Sequence, residues 1–181
     1  MSTPPPAGIY VPVSFGIETK NPRSPSNAIR QVPTFFAKEG TSSFDPVSPP
    51  LDLETQSKHS LFLIKGGVRG LVILGTTGEA VHITSKERNE LIKSQRKTLD
   101  DAGYKDRPII AGTATQNIED TLQQIAESKE AGAESVLVLS PGYFATAVSQ
   151  TGIQKWFEAV ADKSVLPIMI CMSLDNFTSS D

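Results

Sequence analysis

The chain has 181 residues, 38% of them hydrophobic and 20% charged, with a formal net charge of −3 and a single cysteine. That length suits one domain with a core of its own, and the composition excludes both a membrane-embedded and a wholly disordered chain. The acidic balance gives no basic field for nucleic acid, and no apolar run approaches the ~18 residues that span a bilayer.

A lone Cys171 cannot form an internal disulfide, which fits a reducing compartment. The start, Met1 to Pro6, lacks the cationic and apolar regions of a secretory signal. The expectation is a cytoplasmic protein, with a mitochondrial location left open.

Residues 1–7 read as a disordered start, and Gly8 to Val13 as a short strand. Ser14 to Gln31 is polar and rich in Pro, Ser, Asn and Arg, with neither helical nor strand period. Val32-Pro33-Thr34-Phe35-Phe36 then resumes an apolar segment that echoes Val11-Pro12-Val13. The pattern reads as one strand interrupted by an insert at 13–31, because a structureless loop beyond ~12–15 residues is suspect inside a compact domain.

Lys38 to Pro50 is a loop. Leu51 to Lys65 reads as a helix with Leu53, Leu61 and Ile64 on its buried side, joined by Phe62, and Gly66-Gly67 ends it. Val68 to Leu74 is the next strand. Thr84-Ser85-Lys86-Glu87 is a capping box that opens a helix reaching about Ala102. Pro108 to Ala111 is a third strand, and Asn117 to Ala131 a helix stopped by Gly132. Ser135 to Leu139 is a fourth strand, Thr151 to Ala161 a helix, and Val165 to Ile170 a fifth strand.

The rest is organised around Leu71-Val72-Ile73-Leu74-Gly75-Thr76-Thr77-Gly78-Glu79-Ala80. Four apolar residues in a row suit a parallel strand buried on both faces. The glycines allow a sharp turn and a close approach to a ligand. Thr76 and Thr77 then offer hydroxyls and N–H groups at the strand's carboxyl end, a place suited to a small carboxylate. The plain alternative is a strand-to-helix turn whose threonines serve local hydrogen bonds.

Alternating strands and helices imply right-handed βαβ units on a parallel sheet. A doubly wound sheet and the first half of a (β/α)8 barrel both remain compatible. Gly75-Thr76-Thr77-Gly78 is not the dinucleotide fingerprint and no Walker motif is present, so a phosphate-binding domain is a weaker third option.

With Gly75 to Glu79, the Ala111-Gly112-Thr113 strand end and Pro141-Gly142-Tyr143 in place, the chain resembles the dihydrodipicolinate synthase/N-acetylneuraminate lyase family of class I aldolases. The segments are closest in wording to filamentous-fungal members, which include 2-keto-3-deoxy-sugar-acid aldolases. The resemblance runs from Gly8 to Ile170 outside the insert. It implies about five strands of a (β/α)8 TIM barrel, tetrameric when intact, acting on pyruvate or a 2-oxo acid. A lysine on the family's sixth strand forms a Schiff base with the keto carbon.

By this resemblance Thr77 binds the pyruvate carboxylate, while Thr76 and Tyr143 belong to a proton relay. Thr76 also counts among the substrate-binding residues. No cofactor, metal, nucleic acid or membrane partner is implied. His59 and His82 read as surface or packing residues.

The chain departs from the family at two places. Cys171 stands where the family has its central tyrosine, and no lysine follows Lys163, which precedes the fifth strand. As written, the chain is expected to lack the Schiff-base chemistry. A lone cysteine without a neighbouring histidine reads as a small apolar side chain rather than a nucleophile. The alternative function is non-catalytic: binding a 2-oxo acid, or docking onto a full-length paralogue through the Tyr143 loop. Open sheet edges predict association or aggregation.

Retained introns give both departures one origin. Val13-Ser14 can be encoded GTG-AGT and Gln31 CAG, so removal of 13–31 restores a continuous strand. Cys171-Met172 can be TGT-ATG, and splicing after the first T can restore a tyrosine codon. Residues 171–181 are then a tail foreign to the family. Sequencing the transcript from the Pro12 codon to past Ile170 decides between introns and peptide.

Overall fold

Gly70–Ile73 forms β3, and every residue in it is buried. Successive side chains of a strand face opposite sides, so Leu71 and Ile73 join one core cluster and Val72 another. Around it, the computed structural model describes residues 9–10, 29–143 and 147–171. The other strands are β1 (Ile9–Tyr10), β2 (Ile29–Gln31), β4 (Ile109–Gly112), β5 (Ser135–Leu139) and β6 (Ile168–Cys171). The helices are α1 (Leu53–Lys65), α2 (Ser85–Asp101), α3 (Ile118–Glu130) and α4 (Gln150–Lys163).

The sheet order is β1-β6-β5-β4-β3-β2, and every pair is parallel. From β2 to β6 the order follows the chain with no reversal, whereas a doubly wound sheet reverses at a switch point. The helices share one side. Ile64, Leu91, Ile92, Leu99, Ile125, Phe157 and Val160 pack with Leu71, Ile73, Ile109, Ala111, Val136 and Val138. The opposite cluster contains only strand residues: Val72, Ile110 and Leu137, with Ile29, Met169 and Cys171 against it. Singly wound βα units with helices outside are the N-terminal part of a (β/α)8 barrel, so the barrel alternative holds.

Each helix begins on a side-chain cap. Asp52, Thr84, Asn117 and Ser149 accept from the N–H groups of Thr55, Glu87, Asp120 and Gly152. The Thr84–Glu87 capping box is present in both directions, as the sequence predicts. Gly132 follows α3 at φ +98°, a conformation that favours glycine.

Two placements differ from the sequence reading. Phe62 is 73% exposed, and α1 instead buries Gln56, Ser60 and Ile64. That row repeats every four residues, and in it Gln56 Oε1 accepts from Phe35 N–H at 3.1 Å, while the neighbouring Ser57 meets α2, its hydroxyl 2.9 Å from that of Thr98. Leu53 and Leu61 are half-buried against the core.

Second, Ile29–Gln31, read as the end of the insert, forms β2 and pairs with Gly70–Val72. The β3 edge supplies hydrogen-bond partners that local sequence does not encode, and Val32 extends the ladder by donating to Val72 O at 3.0 Å. Ile9–Tyr10 pairs instead with Ile168–Met169 at the far edge. The disordered start at 1–7, residues 13–28 of the insert, and the 171–181 tail apart from Cys171 lie outside the described residues, as do residues 8 and 11–12 of the first expected strand.

Candidate functional site

The site begins where β3 runs out. Leu74 is buried yet left-handed, at φ +61°, so its side chain stays in the core while the backbone turns away. An L-residue in that region costs ~1–2 kcal/mol, and surrounding packing must hold it there. Part of that packing is Gly112 at the end of β4, where an added Cβ would lie 1.8 Å from Leu74 O.

Thr76–Gly78 then forms a 310 turn, closed by Gly78 N–H to Gly75 O at 3.0 Å and Glu79 N–H to Thr76 O at 3.1 Å. Glu79 is also left-handed, at φ +54°, and Ala80–His82 makes a second turn before the Thr84 cap. Thr76 and Thr77 are both exposed. Their N–H groups precede the first internal bond of the turn and have no acceptor within it. Two hydroxyls and two N–H donors thus lie together at the carboxyl end of a buried strand. This set can donate to a small carboxylate.

The turn is held from below. Thr34, buried beside β3, donates from Oγ1 to Gly78 O at 2.6 Å. An added Cβ at Gly75 would meet Gln31 Oε1 at 2.9 Å, so β2 closes on the turn as well.

Tyr143 lies on the loop after β5 and is 81% exposed. Gln116, on the loop after β4, accepts from Gly142 N–H at 2.8 Å and Tyr143 N–H at 3.1 Å through its Oε1. Cys171 ends β6 on the face without helices, half-buried, and burial pushes its thiol pKa up from the ordinary value. Its carbonyl accepts from Ser140 N–H at 3.4 Å. Thr76, Thr77, Tyr143 and Cys171 therefore all lie at the carboxyl end of the sheet, on three separate strand exits.

The raised pKa disfavours the thiolate, which agrees with reading Cys171 as an unreactive side chain. His82 is exposed on the second turn, and His59 packs at 5.3 Å on the Phe35 ring, so both are surface or packing residues. Lys163 is the last residue of α4, ahead of β6. Among the described residues, no three His, Cys, Asp or Glu side chains gather as metal ligands, and no helix is long and apolar enough to cross a membrane.

A cavity of about 260 Å³ opens between Ile29, Ile110, Pro167 and Met169, but at the amino end of the strands, away from the threonines. Sequence reasoning missed Thr34 and Gln116. Neither sits in a motif, and their partners are 44 and at least 26 residues distant.

Residues 41–181 match the dihydrodipicolinate synthetase family. The L-threo-3-deoxy-hexylosonate aldolase of Aspergillus niger is 43% identical over 129 residues, which is 70% of this chain and 38% of that protein. A dihydrodipicolinate synthase family protein from Coccidioides immitis is 34% identical in its crystal structure, with a TM-score of 0.67 over 87% of this chain and 49% of its own. YagE, a prophage protein of the dihydrodipicolinic acid synthase family from E. coli K12 solved in complex with pyruvate, is 29% identical, with a TM-score of 0.65 over 78% of this chain and 43% of its own. The chain thus spans less than half the length of each of these relatives.

Proposed function

The chain belongs to the dihydrodipicolinate synthetase family, and from that membership we propose that it binds the carboxylate of pyruvate or a 2-keto-3-deoxy acid at the Thr76–Thr77 turn. The observation that carries this is the turn itself: two exposed threonines at the carboxyl end of a fully buried strand, with N–H groups unused by the turn. Thr77 receives the carboxylate. The Thr76 hydroxyl passes protons along a relay that Tyr143 continues. The Aspergillus niger aldolase supports a 2-keto-3-deoxy acid, and the pyruvate complex of YagE supports pyruvate.

The aldol step needs a lysine amine to condense with the keto carbon, losing water, so that the iminium accepts the electron pair of the breaking C–C bond. Residues 164–181 contain no lysine. The function proposed for these 181 residues is recognition of the 2-oxo acid. Docking to a full-length paralogue is the second reading, favoured by the exposed Tyr143 at the rim. A single cysteine supports a reducing compartment such as the cytoplasm.

Titration of the full 181-residue chain with pyruvate, followed by NMR, tests the proposal. Pyruvate is expected to shift the Thr76–Glu79 amides, phosphate is not, and Thr77→Val weakens the effect at least about tenfold. Borohydride with pyruvate is expected to leave no stable adduct. An equal response to phosphate, or none at the turn, overturns the carboxylate site. A trapped adduct overturns the absence of Schiff-base chemistry.

A further inference from the structure

We propose that Thr34 is the positioning residue of the Thr76–Thr77 turn, acting through the hydrogen bond from its hydroxyl to the Gly78 carbonyl. The significance of this for ligand binding rests on the 2-oxo-acid reading above; the geometry does not. Thr34 is buried, and its Oγ1 lies 2.6 Å from Gly78 O although the two residues are 44 apart in sequence.

Its own segment is fixed from both directions. Val32 N–H donates to Val72 O at 3.0 Å, which ties the segment to β3 immediately below the turn. Phe35 N–H donates to Gln56 Oε1 at 3.1 Å, and Phe35 O accepts from Asp52 N–H at 2.8 Å, which ties it to the start of α1. A hydroxyl held on such a frame transmits a fixed position to whatever it binds.

What it binds is the last residue of the turn. Gly78 packs against the frame closely enough that an added Cβ would meet Val32 O at 3.2 Å and Thr34 Oγ1 at 3.5 Å. Gly78 N–H closes the turn onto Gly75 O, so a shift of Gly78 moves both ends of the segment that carries Thr76 and Thr77. Left-handed Leu74 and Glu79 flank that segment, and sparsely populated backbone persists only when contacts hold it. The Thr34 hydroxyl is such a contact, at the turn's distal end. A recognition site needs its donors held within about 0.5 Å, which gives this second layer a direct effect on affinity. Thr34 also lies outside residues 13–31, so the inference is the same whether or not that segment is an insert.

The test compares Thr34→Val, which keeps the shape and removes the donor, with Thr34→Ser, which keeps the donor. Pyruvate affinity and amide exchange at Thr76–Glu79 are measured in the full chain. Thr34→Val is expected to weaken pyruvate binding about tenfold, and Thr34→Ser to stay within about twofold of the parent. A valine variant that binds pyruvate as the parent does overturns the inference.

If the parent itself binds no pyruvate, the 2-oxo-acid reading fails, and exchange alone then decides. Faster exchange at the turn in Thr34→Val, with α2 amides unchanged, upholds the positioning role; unchanged exchange at the turn overturns it. If Thr34→Val does not fold, Thr34→Cys, a poor donor of similar size, takes its place under the same criteria.

Discussion

The carbonyl oxygen of Leu74 lies 1.8 Å from the point where a Cβ on Gly112 would stand. The two residues end adjacent parallel strands, and this near contact lets the chain turn out of β3 without leaving the sheet. Because the obstacle is backbone and not a flexible side chain, it cannot move aside. Gly112→Ala is expected to cost about 3 kcal/mol or more, measured by urea unfolding, and to abolish pyruvate-induced shifts at Thr76–Glu79. A loss under about 1 kcal/mol means the strand ends can part, and the close approach is not essential.

Arg88 on α2 is buried, and its Nη2 donates to Ser128 Oγ on α3 at 2.6 Å. Among the described residues its Nε and Nη1 have no partner. Burial lowers its pKa to about 10, with Glu127 opposing the shift. Replacing an incompletely paired buried charge by an apolar side chain of similar length is often neutral or stabilising. Arg88→Met is therefore expected to leave stability unchanged or to raise it by about 1–2 kcal/mol at pH 7. The sign with pH follows from the lowered pKa. The folded state releases its proton first, so the parent gains stability as pH rises above about 10, and the advantage of Arg88→Met shrinks there. Strong destabilisation in denaturant titrations at pH 7 shows that the guanidinium has partners worth keeping.

Thr84 caps α2 at an exposed position, accepting from Glu87 N–H at 3.3 Å while Thr84 N–H donates to Glu87 Oε2 at 3.0 Å. Thr84→Ala is expected to lose about 1 kcal/mol of stability. The turn at Thr76–Thr77 has its own supports, so pyruvate titration of this variant is expected to match the parent. Joint loss of capping and binding would show that the two turns before α2 move as one unit.

Burial raises the pKa of the Cys171 thiol and so lowers its thiolate fraction at neutral pH. Its alkylation by iodoacetamide is expected to be slower than that of a free thiol at pH 7.5, and to rise with pH only beyond the ordinary thiol range. Rapid alkylation at neutral pH, followed by mass spectrometry, contradicts the buried placement.

Features set by neighbours in sequence were legible before the structure. The Thr84–Glu87 box, the β5 run Ser135–Leu139 and the stop at Gly132 each need only a few adjacent residues. Periodicity alone left the winding of the sheet open, because a helix following a strand packs on either face with the same period; the resemblance carried by Gly75 to Glu79, Ala111-Gly112-Thr113 and Pro141-Gly142-Tyr143 is what pointed to the barrel. The buried row of α1 was hidden for a related reason: Gln56 and Ser60 are polar, and their burial is set by tertiary neighbours such as Phe35, whose N–H donates to Gln56 Oε1. At the candidate site, Thr76 and Thr77 stood out through their glycines. Thr34 did not, since its partner is set by the tertiary fold. The backbone of Leu74 was equally hidden, as leucine carries no signal for a left-handed residue.

The pairing of Ile9 with Ile168 has a kinetic consequence. From β2 to β6, each strand joins the one before it across a single intervening helix, so the sheet can zip up in the order in which the chain leaves the ribosome. Ile9 and Tyr10 are synthesised before the other described strands but cannot pair as they do here until Ile168 and Met169 have emerged. Closing so long a loop brings its entropic cost late, after the local contacts have formed. Among the described strands, the earliest made is thus the last to find its place.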